Sequence, residues 1–134
     1  MVQLQSTRIR VYVVGLDALR ATGLEAVFEK NTGIDIVVQD ISSFPALNLQ
    51  PSSEFNVALV GANAAPDIFS AIASIRSAHP GLPIIVMSHA SGQEAILRVL
   101  MLGAKGFLHE ASTPAQFEKA VRMVAAGSLW APRR

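Results

Sequence analysis

The sequence contains no cysteine, which excludes disulfides, thiolate-bound zinc, iron–sulfur clusters and thiol catalysis. Charge is scarce too. Only 16% of residues are Asp, Glu, Lys or Arg, against about 25% in an average soluble domain. Eleven basic and ten acidic residues leave a formal net charge of +1, so nothing in the composition attracts nucleic acid or an anionic membrane. Long apolar runs are missing as well. The stretch from Ile41 to Ile75 carries only Glu54 and Asp67 as charges, yet Ser, Asn, Gln, Pro and Gly break it up, short of the ~20 apolar residues of a spanning helix. Met1 to Ser6 are polar and lack a basic segment followed by an apolar one, so no export signal is read and a cytoplasmic protein is expected.

What is present is apolar: 51% of the 134 residues are hydrophobic and the mean hydropathy is +0.39. That composition excludes disorder, a coiled coil and a collagen-like chain. A chain of this length fits one domain, residues 1–134, and buries a core without covalent staples. So much apolar surface with so little charge also suggests that a partner covers part of it.

Five short apolar runs alternate with helical patterns. The first strand is Ile9 to Val14, rich in β-branched residues and ended by Gly15. A helix follows, with Leu16, Leu19, Gly23, Leu24, Val27 and Phe28 at three-and-four spacing, Asp17 as its N-cap and Gly33 as its stop. Ile34 to Val38 form the second strand. From Asp40 to Ser53, Pro45 and Pro51 leave room for only one or two helical turns. Asn56 to Val60 are the third strand, and Pro66 opens a helix whose inward face is Ile68, Phe69, Ile72 and Ile75, ended by His79-Pro80-Gly81. Pro83 to Met87 form a continuous apolar run, as a parallel strand covered on both faces requires. Ser91 and Glu94 make a capping box for a helix that closes at Gly103. Gly106 to Leu108 form the fifth strand. The last helix is the best marked: Thr113, Pro114 and Gln116 start it, Phe117, Ala120, Val121, Val124 and Ala125 form its buried stripe, and Gly127 ends it.

Five βα units predict an α/β, flavodoxin-like, doubly wound five-stranded parallel sheet in the order 2-1-3-4-5, with a short or irregular second helix. Chemistry in such a sheet belongs beyond the C-terminal strand ends. Here those ends carry Gly15-Leu16-Asp17, Gly61-Ala62-Asn63, Ser88-His89 and His109-Glu110.

Three runs, Ile9 to Val14, His79 to Ser88 and Leu102 to Leu108, together with the tail Ala125 to Trp130, resemble a response-regulator receiver domain of the NarL/LuxR branch. The likeness spans residues 8–131, with 132–134 as the start of a linker to an output domain. The resemblance implies a phosphoryl group passed from a histidine kinase to an aspartate after the third strand. It also implies two acids holding Mg²⁺ after the first strand, a hydroxyl after the fourth and a lysine after the fifth. Carried onto this chain, the acid pair falls on Gly15 and Leu16, the nucleophile on Gly61, the hydroxyl on Ser88 and the lysine on Glu110. Phe107 matches the family's switch aromatic. Only the hydroxyl is retained.

Glycine offers nothing to phosphorylate, Gly15 and Leu16 offer no hard oxygen ligand, and Glu110 brings the wrong sign to a phosphoryl dianion. Phosphoryl transfer rests on positioning and electrostatics, and these residues supply neither. Asp17 and Asn63 are the only rescue candidates. Asp17 suits a helix cap better, and Asn63 cannot form an acyl phosphate. An aspartate-less pseudo-receiver is therefore expected, with no enzymatic activity, no cofactor and no Mg²⁺.

His79 belongs to a turn, while His89 and His109 lack a carboxylate partner for a metal site. In the helix Gln93 to Leu102, Ile96, Val99 and Leu100 suffice for an inward face, so Leu97, Met101 and Leu102 are left over. They are read either as packing against a neighbouring loop or as an interface, rimmed by Lys105, Lys119 and Arg122. The expected function is a phosphorylation-independent regulatory module acting as a homodimer or through a protein partner. Transcription would be controlled through a DNA-binding domain absent here, not through contact of this domain with nucleic acid or membrane. The other reading is a small-molecule sensor, whose ligand would use space opened by Gly15 and Gly61 at the C-terminal edge of the sheet.

Overall fold

The computed structural model describes residues 8–29, 33–39, 55–61, 67–89 and 93–130. Five strands, β1 (Ile9–Val14), β2 (Ile34–Gln39), β3 (Val57–Gly61), β4 (Ile84–Ser88) and β5 (Gly106–His109), form one sheet in the order β2-β1-β3-β4-β5. All neighbours are parallel, with Val11 opposite Ile36 and Val57, Leu59 opposite Ile85, and Val86 opposite Phe107. The described helices are α1 (Ala18–Val27), α2 (Ile68–Ala78), α3 (Gln93–Met101) and α4 (Pro114–Ala125). The weak segment between Asp40 and Ser53, Pro66 and the Ser91 box lie outside the described residues.

Side chains alternate across a strand, and this divides the core. Tyr12, Val14, Ala58, Val60, Val86 and Phe107 face one side, against Ala71, Ile72 and Ile75 of α2 and Val99 of α3. Val11, Val13, Leu59, Ile85, Met87 and Leu108 face the other, against Phe28 beyond α1 and Phe117, Ala120, Val121 and Val124 of α4. The Phe28 and Phe117 rings meet at 5.2 Å between centroids, tying α1 to α4.

Local signals fix the helix starts. Asp17, Asp67 and Thr113 each accept a backbone N–H from the residue three further on, and Thr113 with Gln116 completes a reciprocal capping box. The apolar stripe expected on α1 is corrected by the structure. Leu19 is 83% and Val27 46% exposed, while Ala21 and Phe28 are buried and Leu24 partly so. At 3.6 residues per turn, Ala21, Leu24 and Phe28 share one face, and Leu19 falls about 160° away from Ala21. Gly33 does not stop this helix either. Phe28 caps it, donating its N–H to the Leu24 carbonyl, and Gly33, at φ 81°, opens β2 with its carbonyl bonded to Ile9 N–H.

Candidate functional site

The C-terminal ends of β1 and β3 come together as the topology requires, and they meet closely at Gly61. A Cβ added to Gly61 would stand 2.5 Å from the Gly15 carbonyl oxygen, 2.8 Å from the Gly15 carbonyl carbon and 2.6 Å from Leu16 Cδ2. A leucine side chain can swing aside, but the Gly15 backbone belongs to the bend after β1 at φ 85°, a conformation that favours glycine. At Gly61, one of the two glycines expected to open space, backbone and Leu16 lie where a Cβ would stand.

Around this contact the charged groups bond to one another. Asp17 caps α1 through Arg20 N–H at 2.9 Å and accepts the Arg20 guanidinium at 2.6 Å. The Arg20 backbone N–H, then its guanidinium, hold the Asp17 carboxyl below its usual range. The same guanidinium reaches Glu110, Nη2 to Oε1 at 3.1 Å, and Glu110 N–H donates to the Ser88 carbonyl. Arg20 thus bridges the start of α1 and the end of β5, and Glu110, where a lysine was looked for, answers a cation on the opposite element. Sequence reasoning missed Arg20. Its spacing from Asp17 is visible in the chain, but its contact with Glu110 spans most of the chain and is set by the fold alone.

Mg²⁺ prefers several oxygen ligands, and this donor set does not suit it. Gly15, Leu16 and Gly61 carry no oxygen on their side chains, and the Asp17 carboxylate is already engaged as cap and ion-pair partner. Among the described residues, no three His, Asp or Glu side chains gather as a metal site would need. His109 Nδ1 accepts the Ala111 N–H at 3.0 Å, placing the ring proton on Nε2. Asn63 lies outside the described residues.

Ser88 and Phe107 meet in a groove of about 340 Å³ between α2 and α3, walled by Phe69, Val86 and Val99 and edged by Glu94 and Arg98. Phe107 is buried there, and the Arg98 guanidinium stacks 4.4 Å over the Phe69 ring. On α3, Val99 turns inward, whereas Leu97 is 56%, Met101 85% and the following Leu102 41% exposed. These three lie open along the described surface, and Lys105 is exposed beside them. Lys119, on α4, stands 5.9 Å from the Trp130 ring centroid. Arg122 is set apart: it pairs with Glu118 at 3.0 Å, and its Nη2 lies 3.5 Å from where a Cβ on Gly33 would be.

Among the described residues, no helix is long and apolar enough to cross a membrane. No family model and no curated protein sequence matches the chain. Solved structures do. The non-phosphorylated receiver domain of the Escherichia coli stress response regulator RcsB superposes with a TM-score of 0.80 at 19% identity, over 94% of this chain and 99% of that one. RcsB of Salmonella typhimurium, solved in work on its DNA interaction, gives 0.80 at 19% identity over 96% of this chain. This chain spans 65% of that RcsB chain's length. A LuxR-family DNA-binding response regulator from Silicibacter pomeroyi gives 0.73 at 19% identity, over 93% and 98% of the two chains. The chain thus has the fold of a response-regulator receiver domain.

Proposed function

We propose that this chain is a receiver-type regulatory module that works without phosphoryl transfer, through dimerisation or a protein partner, and serves transcription through a DNA-binding domain on a longer chain. One observation supports it: a side chain at Gly61 would run into the Gly15 backbone and Leu16. Around it, Arg20 bonds Glu110 and Asp17. A receiver normally gains its charge contacts from the phosphoryl group; here an internal ion pair joins α1 to the end of β5 without one. RcsB has been solved as dimers bound to DNA, which supports the same output for this chain. Leu97 and Met101 are the contact residues. Sedimentation of wild type against Leu97→Glu and Met101→Glu tests the pairing: a mass that falls to the monomer supports it, and an unchanged mass removes this surface. A gel shift at low salt tests the division of labour, and tight duplex binding by residues 1–134 contradicts it.

A second reading, a small-molecule sensor, is favoured by the groove at Ser88, Phe107 and Arg98 rather than by the space at Gly61. Its lining of aromatic walls, with Arg98 and Glu94 both at the edge, suits a small planar carboxylate that also carries an amine. A thermal-shift screen of amine-bearing aromatic carboxylates tests it: a Tm increase lost in Arg98→Ala supports a ligand there, and no increase removes it.

A further inference from the structure

β5 lies at an edge of the sheet, and the chain itself covers part of that edge. Trp130 forms a parallel bridge with Gly106: its N–H donates to the Lys105 carbonyl, and its carbonyl accepts the Phe107 N–H, both at 2.9 Å. Gly106 permits the approach, since a Cβ there would stand 3.1 Å from Ile85 Cγ1 and 3.4 Å from the Trp130 carbonyl oxygen. The phase of the ladder follows from its ends. Glu110 N–H turns toward β4, onto the Ser88 carbonyl, while Phe107 N–H turns away from it. By the alternation of a strand, the next outward pair is the Phe107 carbonyl and the His109 N–H. Among the described residues no backbone group bonds to either.

The residues after Trp130 lie outside the described ones, and Pro132 among them has no N–H to offer the Phe107 carbonyl. Beside the open pair runs a groove of about 800 Å³ between β5 and α4, with Met123, Leu129 and Trp130 as apolar walls and Gln116 and Lys119 on its flank. Its lining includes a lysine and His109 and no acidic residue.

We infer that this edge takes an extended peptide from a protein partner as a sixth strand. The peptide bonds the Phe107 carbonyl and the His109 N–H, sets an apolar side chain against Met123 and Trp130, and places a carboxylate near Lys119. Edge pairing draws its affinity from main-chain bonds and its specificity from alternate side chains. Trp130 already displays the mode on the adjoining half of the edge. The inference rests on the reading that the chain acts through protein contacts, and it names the partner's form.

The test is a random octapeptide library displayed against residues 1–134, with amide exchange of the selected peptides' complexes followed by NMR. Enriched peptides should carry an acidic residue, and their binding should slow exchange of the His109 amide. N-methylation of the pairing amide should weaken them about tenfold or more, since it leaves a backbone group unpaired. Lys119→Glu should weaken them too, with the fold intact. A library without binders, binders that leave the His109 amide unprotected, or binding indifferent to N-methylation would overturn the inference. Protection that rises with protein concentration alone would also overturn it, by giving the edge to a second copy. None of these outcomes alters the sedimentation result at Leu97 and Met101, so the two ideas fail separately.

Discussion

A carboxylate grafted at Gly61 would have to displace backbone, because the Gly15 carbonyl oxygen already lies 2.5 Å from where the first side-chain atom would go. Gly61→Asp is therefore expected to cost about 1–3 kcal/mol as an overpacked site, read as a lower urea midpoint, and to gain no phosphorylation. Tyr12 presents the opposite case. Its ring is buried against Phe55 at 5.2 Å, and its hydroxyl has no hydrogen-bond partner among the described residues. Tyr12→Phe removes an unsatisfied group, so stability should stay level or rise by up to about 1–3 kcal/mol. Burial also pushes the phenol up to about 12. Because the folded value lies above the unfolded one, the wild type holds this contribution below the unfolded value near 10 and loses it as pH rises through the folded one. Tyr12 is the single tyrosine, so tyrosinate absorbance reads it directly: ionisation should lag the free phenol in wild type and catch up in urea. Asp17 works at the acid end. Arg20 holds its carboxyl low, so its contribution is present above the unfolded carboxylate value and lost as pH falls through the folded one. Asp17→Asn should therefore flatten the acid limb of a urea-midpoint profile taken from neutral pH to about pH 2. A limb of unchanged slope would contradict that.

Helix α4 is where local chemistry and packing agree most fully. Its capping box, Pro114 and four buried side chains were all legible from spacing. Thr113→Ala should cost about 1 kcal/mol, and Phe117→Ala, which empties the contact with Phe28, about 3–5 kcal/mol. An equal cost for both would mean that the cap, not the packing, holds this element. Helix α1 shows the limit of such reading. Leu19 and Val27 keep a helical spacing with their neighbours, but apolar residues lie on two faces, and only packing against Phe117 decides which one turns inward. The strands were read to within a residue, since continuous β-branched runs have few alternatives in a sheet covered on both faces. The Arg20–Glu110 bridge was invisible for the converse reason: its partners belong to different elements, and no periodicity links them.

On the proposed reading, the whole molecule combines a receiver's sheet and packing with strand ends that do not take a phosphoryl group. The loss could be read directly, because Gly15, Leu16, Gly61 and Glu110 fall at positions that the topology brings together. That Leu16 and the Gly15 backbone stand so close to Gly61 could not be, since it depends on the bend after β1. An ion pair, Arg20 to Glu110, links α1 to the end of β5. Exposed Leu97 and Met101 and the open β5 edge are where it would meet other chains. The measurement that bears most directly on this account is the intact mass of the protein after incubation with acetyl phosphate and Mg²⁺. The mass should be unchanged, as should the sedimentation coefficient. A hydroxylamine-sensitive phosphoryl adduct would contradict the account.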